Sequence, residues 1–537
     1  MEHSGIRQQI ENKLAAARET ALNLAGTLTD RTSLLDYASL VRTVNGIEIW
    51  TEALRRAVSE HEIIVIPPRD EPYYIDGTVV LPSDRRIEAS GSTLKLTPDC
   101  DVLMFITASA ADGTHAPIDR NLNPPVHNIS IHGGKFEESR TRRGGYGTSG
   151  KNDQERSMHG ISTLFYLGNA ENIMMTDVTI AHTAGFAVQT GNVIGAFFEN
   201  IRFEHCYADG LHINGNTENL LCRNISGQVG DDLVALNAYD WQNSSVNFGP
   251  IVTVLCENLE LSADSPYKAI RIEPGRYWYD DGTSVDCALK NAILRDIRGI
   301  RTFKLYYQTP PYRIGGKPER GDADSADNLF FEDITIDLSE PIDGFDVYKN
   351  SDPVRGCFAA FELGADIGYM RLENIRINLY KDKFPYSCLV CCGPKSVLKG
   401  VTEIFDPYLS SRVRRLDLKA ITEEEKLFAG QLFCAGDPDL KAIKLRSHKL
   451  CPEYSLTYED ETEKRARLLS EIVGELGEGS FMQGPIYFHY GVHTKIGKRF
   501  FANYDLTVQD DALVTIGDDC AFGPKVTIVT PLHPMLP

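Results

Sequence analysis

From residue 120 to 395 the chain repeats one degenerate unit: apolar-x-apolar, a polar residue, Asn or Asp, then apolar-x-apolar again. It is spelled MMTDVTI (174–180), FFENIRF (197–203), LLCRNIS (220–226), LCENLEL (255–261), LFFEDITI (329–336) and MRLENIRI (370–377). Anchored on Asp177, Asn200, Asn224, Asn258, Asp333 and Asn374, the first two steps are 23 and 24 residues, and the later ones are lengthened by inserted loops. A period that short, with two-residue alternation inside it, leaves no room for a βαβ unit and suits a solenoid of short strands. One coil cannot bury its own inner face, so stacking must supply the core. Gly-Asn pairs at Gly168, Gly191 and Gly215 recur in phase with the anchors and provide turns.

The segment EIWTEALRRAVSEHEIIVIPP (48–68) reads as a helix followed by a strand, covering the open first coil. This entry resembles that of pectate-lyase-like β-helices. After Pro394 the pattern ends. Residues 396–420 are irregular, and ITEEEKLFAGQLF (421–433) and EKRARLLSEIVGEL (463–476) read as helices, the second closed by Gly477. Beyond Gly484 a six-residue period takes over: Ile496, Ala502 and Val508, then, after a two-residue slip, Ile516, Phe522 and Ile528. Hexapeptide repeats build a parallel β-helix of three short sheets. The expected architecture is mainly β: a helical segment (1–54), a right-handed parallel β-helix (55–395), a linker (396–420), a helical cap (421–480) and a partial left-handed β-helix (481–537).

A balance of 55 basic against 75 acidic residues, net −20, repels phosphate backbones and anionic bilayers, which excludes nucleic acid and membrane as partners. The first thirty residues carry charges throughout and lack the apolar run of a secretory signal, and no stretch is apolar for long enough to span a membrane. The twelve scattered cysteines are therefore expected to be reduced, in a cytoplasmic protein. CLVCC (388–392) contains one C-x-x-C without a second ligand pair, so no metal is expected.

About nine residues past each anchor the chain reaches another strand, where polar residues gather: GFAVQTGN (185–192), DGLHINGN (209–216), DDLVALNA (231–238), KAIRIEPG (268–275) and RTFKLYYQ (301–308). Stacked parallel strands set equivalent side chains ~4.8 Å apart. Asp209, the Asp231–Asp232 pair and Lys268 should then share one face, with His212 and Arg271 in the next column and Gln189, Asn214, Asn237 and Glu273 beyond. Clustered carboxylates suit glycosidic cleavage, one protonated to donate to the leaving oxygen and another ionised to activate water. Crowding of like charges separates their pKa values. Lys268 and Arg271 could bind a uronate or hold the carboxylates ionised. His159, His182, His205 and the polar loop 141–157 are candidate cleft linings. Against this stands a purely structural reading, because Asp and Asn at β-helix turns often cap backbone groups and nothing more.

Here the sequence resembles the family 28 glycoside hydrolases, the polygalacturonases, whose NTDG and GDD motifs correspond to YADG (207–210) and GDDL (230–233). The resemblance implies an inverting hydrolase with Asp231 as general acid and Asp209 and Asp232 activating water. The family's GHG histidine has no counterpart, YKA (267–269) standing in its place. Its RIK motif is met only by RIE (271–273) or by Arg301 and Lys304.

From Glu423 onward the chain resembles the maltose and galactoside O-acetyltransferases of the hexapeptide-repeat superfamily, through EEEKLFAGQLF, DPDL (437–440) and the run PIYFHYGVHTKIGKRFFANYDLTVQDDALVTIGDDCAFGPKVTI (485–528). The resemblance implies acetyl-CoA as co-substrate, a homotrimer, His533 as the base that takes the proton of the acceptor hydroxyl, and Asn503 and Asp511 holding the acceptor sugar. The acidic residue the family carries after the LF of the cap is replaced by Cys434 and Ala435. The sequence stops four residues past His533, where the family continues with further coils, so poor acetyl transfer is expected from these 537 residues alone. The expected whole is a bifunctional protein acting on an oligo- or polysaccharide. The alternative is a polysaccharide-binding β-helix without turnover, its carboxylates serving as ladder or calcium ligands, joined to an oligomerising acetyltransferase remnant.

Overall fold

A computed structural model describes residues 3–98, 100, 102–111, 124–138, 163–240, 247–278, 282–306, 326–338, 359–365, 367–379, 388–392, 413–419, 423–428, 433 and 435–531. The chain divides into two compact units, Met1–Ala420 and Ile421–Pro537.

The first unit is a right-handed parallel β-helix. Its anchors are its corners. Asp177, Asn200, Asn224, Asn258, Asp333 and Asn374 all adopt φ between 52° and 59°, the left-handed region that Asn and Asp tolerate better than other side chains. Their amides stack into an external ladder: Asn200 Nδ2 donates to Asp177 Oδ1, Asn224 to Asn200 and Asn258 to Asn224, each at 2.7 Å. Asp296, at φ 52°, is a corner that the sequence reading passed over. The apparent step from Asn258 to Asp333 is in fact two coils, of 38 and 37 residues.

Ten parallel strands form one continuous sheet: Val79–Leu81, Phe105–Thr107, Thr163–Tyr166, Phe186–Thr190, Leu211–Asn214, Asp232–Asn237, Ala269–Glu273, Thr302–Tyr306, Ala359–Gly364 and Cys388–Cys392. A larger sheet carries the anchors, and between them lies one core of Val, Ile, Leu and Phe ladders. Helix α1 spans His3–Ala25 and α2 spans Thr51–Glu60, the latter closing the core with Ala53, Leu54, Ala57 and Val58.

Two boundaries differ from expectation. Residues 1–54 are not wholly helical, since Arg31–Ser33 pairs in parallel with Ile63–Val65 and extends the solenoid towards the N-terminus. The expected linker ends in a strand, Val413–Lys419, which pairs antiparallel with Tyr369–Leu379 and covers that edge. Helix α1 lies on the outside of the larger sheet, where in-register stacking builds two columns. One is apolar: Met174, Phe197, Leu221, Leu255, Ile293 and Phe330. The other alternates in sign: Glu199, Arg223, Glu257, Arg295 and Glu332. Ile10, Leu14 and Ala21 bury against the first. Arg7, Glu11 and Arg18 pair with Glu332, Arg295 and Glu199 of the second at 2.5–2.6 Å.

The second unit is built from helices α3 (Glu423–Phe428), α4 (Pro438–Ser455) and α5 (Thr462–Ile472), followed by three three-stranded parallel sheets. Ile496 pairs with Ile516, Ala502 with Phe522 and Val508 with Ile528, so each coil is three hexapeptides plus the two-residue slip. Helix α5 ends at Ile472 rather than reaching Leu476. Glu475–Leu476 pairs with Lys495–Ile496 as the first strand of the coil, and a Cβ at Gly474 would meet Val492 O at 2.1 Å.

Candidate functional site

The ten-stranded sheet brings Asp209, Asp231 and Asp232 together, with one carboxylate oxygen of each within 4.8 Å of the others. The register differs by one residue from the sequence alignment. Leu211 pairs with Val234, which sets Asp209 level with Asp232 rather than with Asp231, and Gly210 N donates to Asp232 O. Because the strand period is two, that one-residue slip decides which face each side chain takes. Leu211 and Val234 point into the core, while His212, Ala235, Arg271 and Lys304 form one outward column. Gln189 pairs with His212 and belongs to this column, although its amide donates to Asn214 Oδ1 at 2.8 Å. Asn214, Asn237 and Glu273 are in register as expected.

Asp209 is 1% exposed, and both its oxygens are engaged. Oδ1 accepts the Asp232 N–H at 3.1 Å, and Oδ2 lies 2.6 Å from His212 Nδ1. His212 Nε2 lies 2.9 Å from Asp240 Oδ2, and Phe186 stacks on the imidazole at 3.8 Å. Asp240 also accepts from Asn237 Nδ2 at 2.9 Å. Burial alone would pull the His212 pKa down, but the hydrogen bonds it donates to Asp209 and Asp240 raise it to about 9.

Asp232 is fully buried and Asp231 half-buried. Arg271 Nε sits 2.8 Å from Asp232 Oδ2 and Nη2 3.6 Å from Asp231 Oδ1, yet neither Asp232 oxygen has a hydrogen-bond partner among the described residues. Burial pushes the Asp231 carboxyl well above the ordinary range, with Asp232 and Asp209 adding to the effect and Arg271 and Lys304 opposing it. Burial likewise lifts Asp232 to about 7, with Arg271 the strongest opposing charge. Near neutral pH the pair therefore holds a proton, and Asp231 is the member with a side chain partly open to solvent.

Lys304, fully buried, places Nζ over the Tyr267 ring at 4.5 Å and acts on both carboxyls. Lys268 occupies a left-handed turn (φ 57°), and its carbonyl accepts from Arg301 N–H. Arg271, Lys304 and His212 are the cationic side chains that act on the carboxylate pair, and the three aspartates each offer an oxygen that could also serve a metal ion. His182 and His205 stack on each other at 5.5 Å, exposed at the next corner. His159 and the loop 141–157 lie outside the described residues. Sequence reasoning missed Asp240 and Phe186. No spacing signal marked Asp240, because the imidazole it meets, His212, belongs to the preceding coil.

In the second unit Asp510 is structural, accepting Tyr490 N–H at 2.8 Å and the Thr494 hydroxyl at 2.9 Å. Asp511 is 8% exposed, and its Oδ2 has no hydrogen-bond partner among the described residues. Its charge acts on His489, whose pKa burial lowers. Tyr487 Oη lies 2.9 Å from His448 Nε2 and 3.5 Å from His489 Nδ1. Asn503, half-buried, accepts Tyr504 N–H on its own side-chain oxygen. His493, which sequence reasoning did not single out, links the Asp510 carbonyl to Glu424 of α3 at 2.8 Å each. His533 lies outside the described residues.

The chain thus carries two distinct modules, a solenoid with a carboxylate cluster on one outer sheet and a unit of hexapeptide coils with a helical cap. Residues 426–477 match the maltose acetyltransferase hexapeptide capping motif, and the C-terminal part is a hexapeptide-repeat acetyltransferase module. It is 39% identical over 114 residues to galactoside O-acetyltransferase of Escherichia coli (strain K12), covering 21% of this chain and 55% of that protein. The chain thus spans about half the length of that relative. A hexapeptide-repeat acetyltransferase of Vibrio cholerae O1 biovar eltor, solved in complex with acetyl coenzyme A, is 28% identical over 20% of this chain and 57% of that one, with a TM-score of 0.19. An exopolygalacturonase of Thermotoga maritima covers 77% of this chain and 99% of its own at 10% identity, with a TM-score of 0.38. Among the described residues no helix is long and apolar enough to cross a membrane.

Proposed function

We propose that the chain is a bifunctional carbohydrate-active protein whose β-helix hydrolyses a glycosidic bond of an oligo- or polysaccharide at the Asp209–Asp231–Asp232 cluster. One observation carries this: three carboxylates with one oxygen of each within 4.8 Å of the others, of which the partly open one, Asp231, has its carboxyl pushed well above the ordinary range by burial. In the reaction Asp231 gives its proton to the glycosidic oxygen as that bond breaks. Water bonds to the anomeric carbon and releases its proton to an ionised carboxylate of the cluster. In this reading Arg271 would hold an anionic sugar and buried Lys304 would add positive charge behind it, which makes polygalacturonate the first substrate to test; the support is that the two share one column beside the pair. Inversion rests on the resemblance and not on the spacing, since these oxygens are closer than the ~6.5–9.5 Å usual for inverting pairs. Asp231→Asn should lower hydrolysis by about 10²–10⁴-fold, with the fold intact by circular dichroism. The burial of Asp209 and Asp232 favours the second reading, a binding module. It is supported if the unaltered chain binds polygalacturonate without cleaving it and Asp231→Asn retains the affinity.

For the second unit the proposed activity is transfer of acetyl from acetyl-CoA to a sugar hydroxyl, in a homotrimer. His533 would take the hydroxyl proton, and Asn503 and Asp511 would orient the acceptor. The support is the match to the acetyltransferases and the buried oxygen of Asp511 that has no hydrogen-bond partner among the described residues. Acetylation of a galactoside from acetyl-CoA, lost on His533→Ala and weakened in acceptor KM on Asp511→Asn, is the test.

A further inference from the structure

The three carboxylates do not have equal freedom. Asp209 spends Oδ1 on the Asp232 N–H and Oδ2 on His212, while Asp232 has an ion pair to Arg271 on Oδ2 at 2.8 Å and neither of its oxygens has a hydrogen-bond partner among the described residues. His212 is held from both ends, by Asp209 at 2.6 Å and Asp240 at 2.9 Å, with Phe186 stacked on its face, and all three polar side chains are at most 2% exposed. An imidazole between two buried carboxylates satisfies both only as imidazolium, with an N–H donated to each. Turning Asp209 towards a water would break a charge-assisted bond and leave His212 with Asp240 as its one carboxylate partner, beside Asn214 Nδ2 at 3.4 Å, a loss that a low-dielectric site makes severe.

We propose that Asp240 and His212 lock Asp209 as a positioning residue, leaving Asp232 as the single base that activates water. This rests on the hydrolase reading and assigns it a division of labour. The Asp209–His212–Asp240 bridge carries one net negative charge beside the pair. Asp209 also holds the Asp232 backbone through its N–H, so the bridge fixes both the potential and the position of the base.

The test uses the full chain and two readouts. The first is hydrolysis of polygalacturonate across pH. Asp232→Asn should lose about 10³-fold at every pH, as removal of a base does. Asp209→Asn should keep activity within about tenfold at its own optimum, with the whole bell moved to lower pH. The sign follows from the neighbours. Asp209 raises both acidic groups, while His212, Arg271 and Lys304 lower Asp232, so removing the Asp209 charge lowers both limbs. Asp240→Asn should move the profile the same way. An Asp209→Asn variant as inactive as Asp232→Asn at all pH values would overturn the proposal, because it would make Asp209 a second base.

The second readout is independent of substrate: NMR of isotope-labelled histidine in the unaltered chain, with the His212 signal assigned by its loss in His212→Gln. The imidazole should stay protonated to pH 8 and above, and should titrate at least one unit lower in Asp240→Asn. A His212 that titrates near 6.5 in the unaltered chain overturns the lock even if Asp240→Asn fails to fold. Should the chain cleave no polygalacturonate while His212 behaves as described, the hydrolase substrate falls and the lock stands.

Discussion

Replacing Gly230, the first residue of the GDD motif, by Ala tests how the solenoid places its own carboxylates. A Cβ built there would sit 1.9 Å from Tyr207 O and 2.7 Å from Tyr207 C, both backbone atoms of the preceding coil. No side chain can rotate away, so the coils must part by over 1 Å to reach ordinary contact. The Gly230 N–H to Ala208 O bond, already 3.3 Å, is the first casualty, and Asp209 and Asp231 flank that contact on either strand. Overpacking of this kind costs about 3 kcal/mol, at the upper end of its usual range. A 1 Å misplacement of catalytic groups costs about 10²-fold in rate. The sign is diagnostic, because a Gly→Ala change without a clash stabilises by about 0.4–1 kcal/mol through the unfolded chain. Gly5→Ala is the control, lying in α1 with nothing within 4 Å of its added Cβ. Differential scanning calorimetry with polygalacturonate hydrolysis in parallel gives both numbers. A Gly230→Ala chain that melts no lower than the unaltered one would refute the coil-contact reasoning.

Raising pH from 6 to 9 should lower the melting temperature of the first unit. His212 has a folded pKa of about 9, above its ordinary 6.5, so its stabilisation is complete below 6.5 and is lost as pH passes 9, on the order of 3 kcal/mol. Asp232, lifted from 3.8 to about 7, contributes with the same sign between those values. A flat or rising stability over pH 6–9 would contradict both. Leu14→Ala should cost about 2 kcal/mol, since the α1 face can partly collapse onto the apolar column, and should speed proteolytic release of residues 1–25 while the solenoid stays intact. In the second unit, buried Arg465 donates to Met482 O, Thr457 O and Tyr454 Oη, tying α5 to the coil. Arg465→Met should cost about 3–5 kcal/mol in the melting of that unit, and Arg465→Lys should recover little, having no planar fork.

The corners of the solenoid were legible in the sequence because their physics is local. Asn, Asp and Gly tolerate the left-handed region best, so Asp177, Asn200 and Asn224 mark their coils whatever surrounds them, although Lys268 takes it too. The hexapeptide period from Ile496 to Ile528 was legible for the same reason, one inward residue per side recurring at fixed distance. Where loops lengthened the step, the period no longer counted coils, and the corner at Asp296 disappeared between Asn258 and Asp333. The acidic cluster was legible as composition but not as geometry. Alignment by motif set Asp209 against Asp231, and the tertiary register set it against Asp232, because Leu211 and Val234 must both enter the core. Asp240 could not be found from spacing, since its role depends on which neighbouring coil presents an imidazole to it. The cover provided by α1 was invisible for a related reason. Its polar, weakly patterned sequence gains a partner only when Met174, Phe197, Leu221, Leu255, Ile293 and Phe330, scattered over 157 residues, are stacked into one column. Sequence by itself determined what each residue must do to its own backbone. Tertiary structure decided which residues meet, because stacking turns a distance along the chain into a contact about 4.8 Å across it.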